Sequence, residues 1–131
     1  MEGSNQRLAA LAQLGEVMRA LGAHQPWPGH TIGLSKDEYE GLGRAMGRAQ
    51  RFNGWATEES VRYAFAAWGE ALRPAPIEAW RSRYPETAAS PRAVRNVGLV
   101  LAGNVPLVGL HDVLCTWLAG HRARVKCSSQ E

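Results

Sequence analysis

The sequence predicts an α/β protein, with a helical N-terminal region over residues 1–90 and a strand–helix–strand unit over residues 91–131. Through the first two-thirds of the chain, apolar residues recur every three or four positions, which indicates helices that each bury one face. The pattern then changes to a continuous apolar run at 97–102, which is typical of a strand buried on both faces.

The first two helices are predicted from spacing and capping residues. Leucines and a methionine on one face predict a helix over 5–21, with Asn5 as its N-cap. After a proline- and glycine-rich loop, Ser35 and Glu38 form a capping box. This box predicts a second helix that runs to about residue 51.

Two further helices precede a polar linker. Thr57 is expected to cap the third helix, and Pro76 suits the first turn of a fourth helix over 77–84. Aromatic side chains recur here at helical spacing, and we expect them to lie in the core rather than on a surface that stacks nucleic-acid bases. They are Trp55, Phe65, Trp68, Trp80 and Tyr84.

The second region predicts a βαβ unit. After a polar linker at 86–96, a strand at 97–102 leads through a turn at 103–104 into a helix from Pro106 to about Leu118, followed by a strand at 122–126. This order predicts parallel strands joined by a right-handed crossover. Because two parallel strands alone are marginal, we expect the sheet to be incomplete. We favour a longer protein, of which this chain is the front part, over completion by a second copy.

Composition excludes several classes of protein. With 45% hydrophobic residues and a net charge of +3, the chain is not a disordered tail. No apolar run approaches the roughly 18 residues of a membrane helix, and the N-terminus lacks the pattern of a signal peptide. We therefore expect a cytoplasmic protein without a membrane span.

The cysteines and histidines do not predict a metal site. Cys115 and Cys127 are not in a CxxC motif, and the four histidines are scattered along the chain. We expect two reduced, partly buried thiols.

The positive charge lies in the second half of the chain. Residues 61–131 contain nine basic and five acidic side chains, against six and seven in residues 1–60. Such a surplus suits a phosphate-bearing ligand or weak contact with nucleic acid, but more often it reflects nothing specific. The arginine-rich composition indicates a codon bias as readily as a phosphate site.

A candidate ligand site follows from the predicted sheet, because ligands bind beyond the carboxyl ends of parallel strands. Residues 102–106 lead there into a predicted helix N-terminus, which attracts anions. The Asn104 amide is either a donor to an oxyanion or a left-handed turn residue. Lys126 is either a ligand for ribose or phosphate or a solvated lysine. Neither common glycine-rich nucleotide motif is present, so the nucleotide signal is weak to moderate.

These segments resemble a known family. The stretches AGNVPLVGLHD, AGH and VKCSSQE within 97–131 resemble the nucleotide-binding core of the LuxC-type acyl-CoA reductases, distant members of the aldehyde dehydrogenase superfamily. The W-x-T-x-E-x-V pattern at 55–61, WGEAL at 68–72 and WRSRYP at 80–85 are similar, more loosely, to that family's helical N-terminal region. The resemblance implies that 91–131 begins a Rossmann-like, NADP-binding domain.

The resemblance also implies roles for single residues. The activity would be reduction of an acyl-CoA or acyl-carrier thioester to an aldehyde by NADPH, through a cysteine acyl-enzyme. Asn104 would contribute to the oxyanion hole, and Ala102, Gly103, Lys126 and Ser129 would contact the cofactor. Ser129 replaces the glutamate that holds the ribose 2′-hydroxyl in many NAD-dependent relatives, which favours NADPH. Gly103 replaces an aromatic residue of the family's pattern.

The family's nucleophilic cysteine lies downstream of the second strand, beyond Glu131, and neither Cys115 nor Cys127 takes its place. We therefore expect no turnover from residues 1–131 alone. His111 either lines the cofactor channel or stands with Asp112 at a solvated helix start.

Two other functions stay open. One is a non-enzymatic helical interaction module, in which 97–131 dimerises. The other is nucleic-acid binding by the basic second half. We expect a thioester substrate and no nucleic-acid partner, with a homo-oligomer possible.

Overall fold

The computed structural model describes residues 2–84 and 93–129. The described chain is an α/β protein with a helical N-terminal region followed by a small parallel sheet, as the sequence predicts. The elements are α1 (Glu2–Gly22), a 3₁₀ turn (His30–Ile32), α2 (Lys36–Phe52), α3 (Glu58–Ala71), α4 (Pro74–Arg81), β1 (Asn96–Val100), α5 (Leu110–Leu118) and β2 (Arg122–Lys126). Within these ranges, no helix combines the length and apolarity that crossing a membrane requires.

The predicted starts of α2 and α3 are confirmed. The Ser35 hydroxyl accepts a hydrogen bond from the Glu38 N–H (3.3 Å), and the Glu38 carboxylate accepts one from the Ser35 N–H (2.8 Å). Thr57 caps α3 by accepting from the Ser60 N–H. The predicted N-cap at Asn5 is wrong, because nothing in the sequence before Asn5 stops a helix and α1 already begins at Glu2.

The fourth helix begins three residues earlier than predicted. Both Pro74 and Pro76 lie in its first turn. Backbone N–H groups in the first turn have no acceptor within the helix, so a proline there costs no hydrogen bond. The helix ends at Arg81, so Tyr84 lies beyond it.

The core is built around α1 and α3, which cross at close range. A Cβ atom at Gly69 of α3 would lie 2.8 Å from the backbone nitrogen of Arg19 and 3.0 Å from the Gly15 carbonyl oxygen of α1. Gly69 therefore allows the two backbones to approach each other. A second apolar cluster joins α1, α3 and α4 to α5 and the turn before it. Its members include Leu11, Met18, Leu72, Ile77, Leu107, Leu110, Leu114 and Leu118.

The aromatic side chains are divided between core and surface. Phe65, Trp68 and Trp80 are half-buried, as expected. Trp55 and Tyr84 are 68% and 62% exposed, so the prediction that they belong to the core is wrong. Both lie in turns that follow a helix, where helical spacing no longer determines which way a side chain points.

The two strands pair in parallel, which confirms the predicted arrangement. Val97 lies opposite Ala123, and Gly98 lies opposite Arg124. The expected burial of the first strand on both faces is wrong, because α5 covers only one face. On the other face Val100 is 82% exposed. The strand spans 96–100 rather than 97–102.

The helix between the strands starts four residues later than predicted. Leu107 has a φ of 60°, which interrupts any helix begun at Pro106, and α5 begins at Leu110. Gly109 precedes it, and a Cβ atom there would collide with the Leu101 side chain. Of the predicted linker, residues 86–92 lie outside the described residues, while Asn96 belongs to β1.

Candidate functional site

The parallel pairing of β1 with β2 brings together the two segments in which the sequence predicts ligand-binding residues, 102–104 and 126–129. The Leu101 N–H donates to the Lys126 carbonyl oxygen (3.0 Å), which continues the pairing beyond β1. Residues 102–104 and 127–129 therefore leave the sheet at the same edge. This is the edge at which open parallel sheets bind ligands.

A buried asparagine holds the segment after β1 in place. The Asn53 amide nitrogen donates to the Gly103 carbonyl oxygen (2.6 Å), and the Asn53 amide oxygen accepts from the Trp55 N–H (3.1 Å). Asn53 is only 9% exposed. The sequence indicates a helix break at this residue but nothing that predicts its partner, which lies 50 positions away.

Asn104 lies at a cavity of about 350 Å³ between the end of α2 and the segment after β1. The cavity is lined by Ala49, Phe52, Asn53, Trp55, Ala56, Val61 and residues 103–107. Asn104 is exposed. Apart from the two asparagines the lining side chains are mainly apolar, so the Asn104 amide is one of the few side-chain groups here that can donate a hydrogen bond to a bound carbonyl oxygen.

The expected anion site at a helix N-terminus is wrong. Because α5 begins at Leu110, Asn104 precedes the helix by six residues. Ala102 and Gly103 likewise do not adjoin the first turn of a helix. Any attraction of this segment for an anion must come from side chains and local N–H groups.

Lys126 and Ser129 are both exposed, and Lys126 belongs to a row of cations. Arg122, Arg124 and Lys126 occupy alternate positions of β2 on the sheet face that α5 leaves open. Within residues 93–129 of the sequence the sole acidic residue is Asp112, which lies on α5. Among the described residues, no ion pair joins Arg122, Arg124 or Lys126 to an acidic side chain.

Few hydrogen bonds constrain these side chains. Arg124 Nε donates to Asn96 Oδ1 (3.2 Å), and Lys126 Nζ donates to the neighbouring Cys127 carbonyl oxygen (3.4 Å). In residues 93–129, no hydrogen bond between side chains joins Lys126 to Asn104 or Ser129. The Arg124 and Lys126 side chains are therefore exposed to solvent and held by a single hydrogen bond each among the described residues.

The two cysteines differ in environment. Cys115 is half-buried on α5, as expected, whereas Cys127 is exposed, so the expected partial burial of Cys127 is wrong. The Sγ of Cys115 lies 3.6 Å from Nε2 of His111. Burial, and to a lesser extent the charge of Asp112, raises the pKa of the Cys115 thiol. His111 lies at a second cavity with Cys115 rather than at the edge that holds Asn104.

Comparison with protein-family models, with curated proteins and with solved structures found no match to this chain. The resemblance to the LuxC-type reductases therefore depends on the motifs quoted from the sequence.

Proposed function

We propose that the chain is the N-terminal part of an NADPH-dependent reductase that converts an acyl-CoA or acyl-carrier thioester into an aldehyde. The observation that supports this proposal is the parallel pairing of β1 with β2, which sets residues 102–104 beside residues 127–129. A Rossmann-like domain binds its dinucleotide at such an edge. The motifs in these segments add the residue types that the resemblance associates with the cofactor.

The residues at this edge fit a phosphorylated dinucleotide. Lys126 and Arg124 supply positive charge on one face of β2, and both lack an acidic partner among the described residues. Ser129 offers a hydroxyl that hydrogen-bonds a 2′-phosphate, whereas a carboxylate at this position would repel it. NADPH, when bound, supplies the hydride for the reduction.

Asn104 is proposed to act on the substrate. Its side chain lines the apolar cavity beside α2, and its amide would donate to the thioester oxygen as negative charge develops there. Asn53 is a positioning residue, because it holds the Gly103 carbonyl next to Asn104. The nucleophilic cysteine is expected outside residues 1–131.

The experiment that tests this function is the cofactor preference of the full-length protein. Ser129→Glu should lower the ratio of NADPH to NADH affinity by about tenfold or more, since like charges about 4 Å apart repel by about 1 kcal/mol in water and about 4 kcal/mol near a protein surface, and about 1.4 kcal/mol is a factor of ten. Gln50→Glu introduces the same charge at an exposed position of α2 and is the matched control. An unchanged ratio in Ser129→Glu refutes the assignment of this residue.

Turnover provides a second test. Because the proposed nucleophile is not in this chain, residues 1–131 alone should not reduce a thioester. Any thioester-reducing activity of that chain contradicts the proposal.

One observation favours the alternative, a non-enzymatic dimerisation module. Among residues 2–84 and 93–129, each of the two strands pairs with a strand on one side only, so the other side of β1 and of β2 is unpaired. Val100, on the sheet face that α5 leaves open, is 82% exposed. Unpaired edges are templates for a further strand. Sedimentation equilibrium distinguishes the two candidates, because a stable dimer without NADPH binding supports the module.

A further inference from the structure

A second cavity, of about 320 Å³, lies where α5 packs against the helical region. Its walls are almost wholly apolar. They are formed by Leu11, Trp68, Ala71, Leu72, Pro76, Ile77, Trp80, Leu114 and Leu118, with His111 and Cys115. An apolar cavity of about 150 Å³ is large enough to bind benzene. This cavity, at about twice that volume, has room for an apolar chain of several carbons.

A thiol and an imidazole lie together at the mouth of this cavity. His111 and Cys115 are one helical turn apart on α5, and Cys115 Sγ lies 3.6 Å from His111 Nε2. The His111 side chain is 61% exposed, whereas Cys115 is half-buried, so the thiol lies deeper than the ring. Cys115 Sγ also lies 3.8 Å from His111 Nδ1, so the thiol is within reach of both ring nitrogens. Asp112 Oδ1 lies 3.5 Å from Nδ1.

We propose that this cavity binds a medium-length acyl chain and that Cys115 accepts the acyl group from a thioester. The choice of a thioester as the donor rests on the proposed function, whereas the apolar chain and the site of attack follow from the cavity and the thiol. This site is distinct from the edge that holds Asn104 and Lys126.

The transfer needs no oxidant or reductant. Cys115 Sγ attacks the carbonyl carbon of the bound thioester and forms a new C–S bond, while the C–S bond to the donor breaks. The His111 imidazole takes the thiol proton and passes it to the departing thiolate. The products are an acyl group on Cys115 and the free thiol of the donor.

Selectivity must come from chain binding rather than from an activated thiol. Burial raises the pKa of Cys115, so small polar reagents should react more readily at the exposed Cys127. A buried methylene changes affinity by about fourfold. Lengthening the acyl chain should therefore shift the reaction toward Cys115 and leave Cys127 nearly unaffected.

The experiment incubates the 131-residue chain with acetyl-CoA or octanoyl-CoA, without any nicotinamide cofactor. Mass spectrometry of peptides, with release by neutral hydroxylamine as the proof of a thioester, gives the ratio of acylation at Cys115 to that at Cys127. The ratio should rise at least a hundredfold from the acetyl to the octanoyl donor. A ratio that does not rise with chain length overturns the proposal.

Two variants test the geometry. Ala71→Trp fills the cavity from its exposed rim and should abolish the chain-length dependence, whereas Ala67→Trp, on the same helix but outside this cavity, should preserve it. His111→Gln should slow acylation of Cys115 at least tenfold and leave Cys127 unchanged. Equal behaviour of the two tryptophan variants, each shown by circular dichroism to be folded, overturns the proposal.

The acylation assay tests the acyl site and the cofactor assay tests the proposed function, so either proposal can be refuted without the other. A chain-length effect at Cys115, with no change of cofactor preference in Ser129→Glu, supports the acyl site and contradicts the proposed cofactor assignment. A changed cofactor preference with a flat chain-length profile contradicts the acyl site alone.

Discussion

Replacing Asn53 with alanine should release the segment after β1 from the helical region. The Asn53 side chain is only 9% exposed, and it links the end of α2 to the carbonyl oxygen of Gly103. Gly103 is the residue immediately before Asn104. It also accepts from the Trp55 N–H and so shapes the turn after α2. The variant removes both interactions and leaves a carbonyl and an N–H without this partner.

The loss of stability can be worked out from these two bonds. Each hydrogen bond contributes about 1 kcal/mol net, and a buried partner left unsatisfied adds to the loss. We expect Asn53→Ala to lower the free energy of unfolding by about 2–3 kcal/mol. For a domain of this size the midpoint of thermal unfolding should fall by about 6–12 °C.

Urea unfolding followed by tryptophan fluorescence measures this change, with the slope m expected to stay constant. Asn104→Ala is the matched control, because Asn104 lies on the same segment but is exposed, and its free energy of unfolding should change by less than about 0.5 kcal/mol. A loss below about 0.5 kcal/mol for Asn53→Ala would refute the reasoning.

Two further predictions concern helix packing and helix capping. Gly69→Ala should destabilise the protein by about 1–2 kcal/mol, because the added methyl group meets the α1 backbone and the gain in helix propensity offsets only part of that cost. In Gly41→Ala the new Cβ would meet only the Arg44 guanidinium, at 3.7 Å, so this variant should instead stabilise the protein by about 0.5–1 kcal/mol. Urea unfolding measures both variants, and the opposite ranking would contradict the close crossing of α1 and α3. Hydrogen bonds from the Ser35 N–H and hydroxyl lower the pKa of the Glu38 carboxyl group in the folded protein. The Glu38 charge therefore stabilises the fold fully at pH values above the pKa of an unfolded glutamate. This stabilisation is lost as the pH falls through the lowered pKa of the folded state. The stability difference between the wild type and Glu38→Gln should therefore shrink between pH 6 and pH 3, and a constant difference would show that the carboxylate charge has no part in the cap.

The local features of the fold could be predicted from the sequence. The capping box at Ser35 and the cap at Thr57 are confirmed, because a cap depends on hydrogen bonds within about three residues. The parallel pairing is also confirmed, since strands joined by a helix have few other arrangements. The roles of Asn104, Lys126 and Ser129 stay predictions, and what the fold adds is that their segments leave the sheet at one edge.

Contacts between residues far apart in the sequence could not be predicted, and these contacts position the candidate site residues and form the cavities. The link from Asn53 to Gly103 spans 50 positions and has no sequence signature. The pairing of His111 with Cys115 was foreseeable as a helical i, i+4 spacing, but the cavity beside them exists only because four helices meet there.

The sequence by itself determined the α/β class, the helical N-terminal region and the starts of α2 and α3, because these follow from apolar spacing and local capping. The tertiary structure alone decided where α5 begins, since that depends on the backbone at Leu107 and on the packing of Leu101 against Gly109. It also decided that β1 is covered on one face only. An apolar run shows that a strand can be buried, but whether it is buried depends on which other elements pack against it.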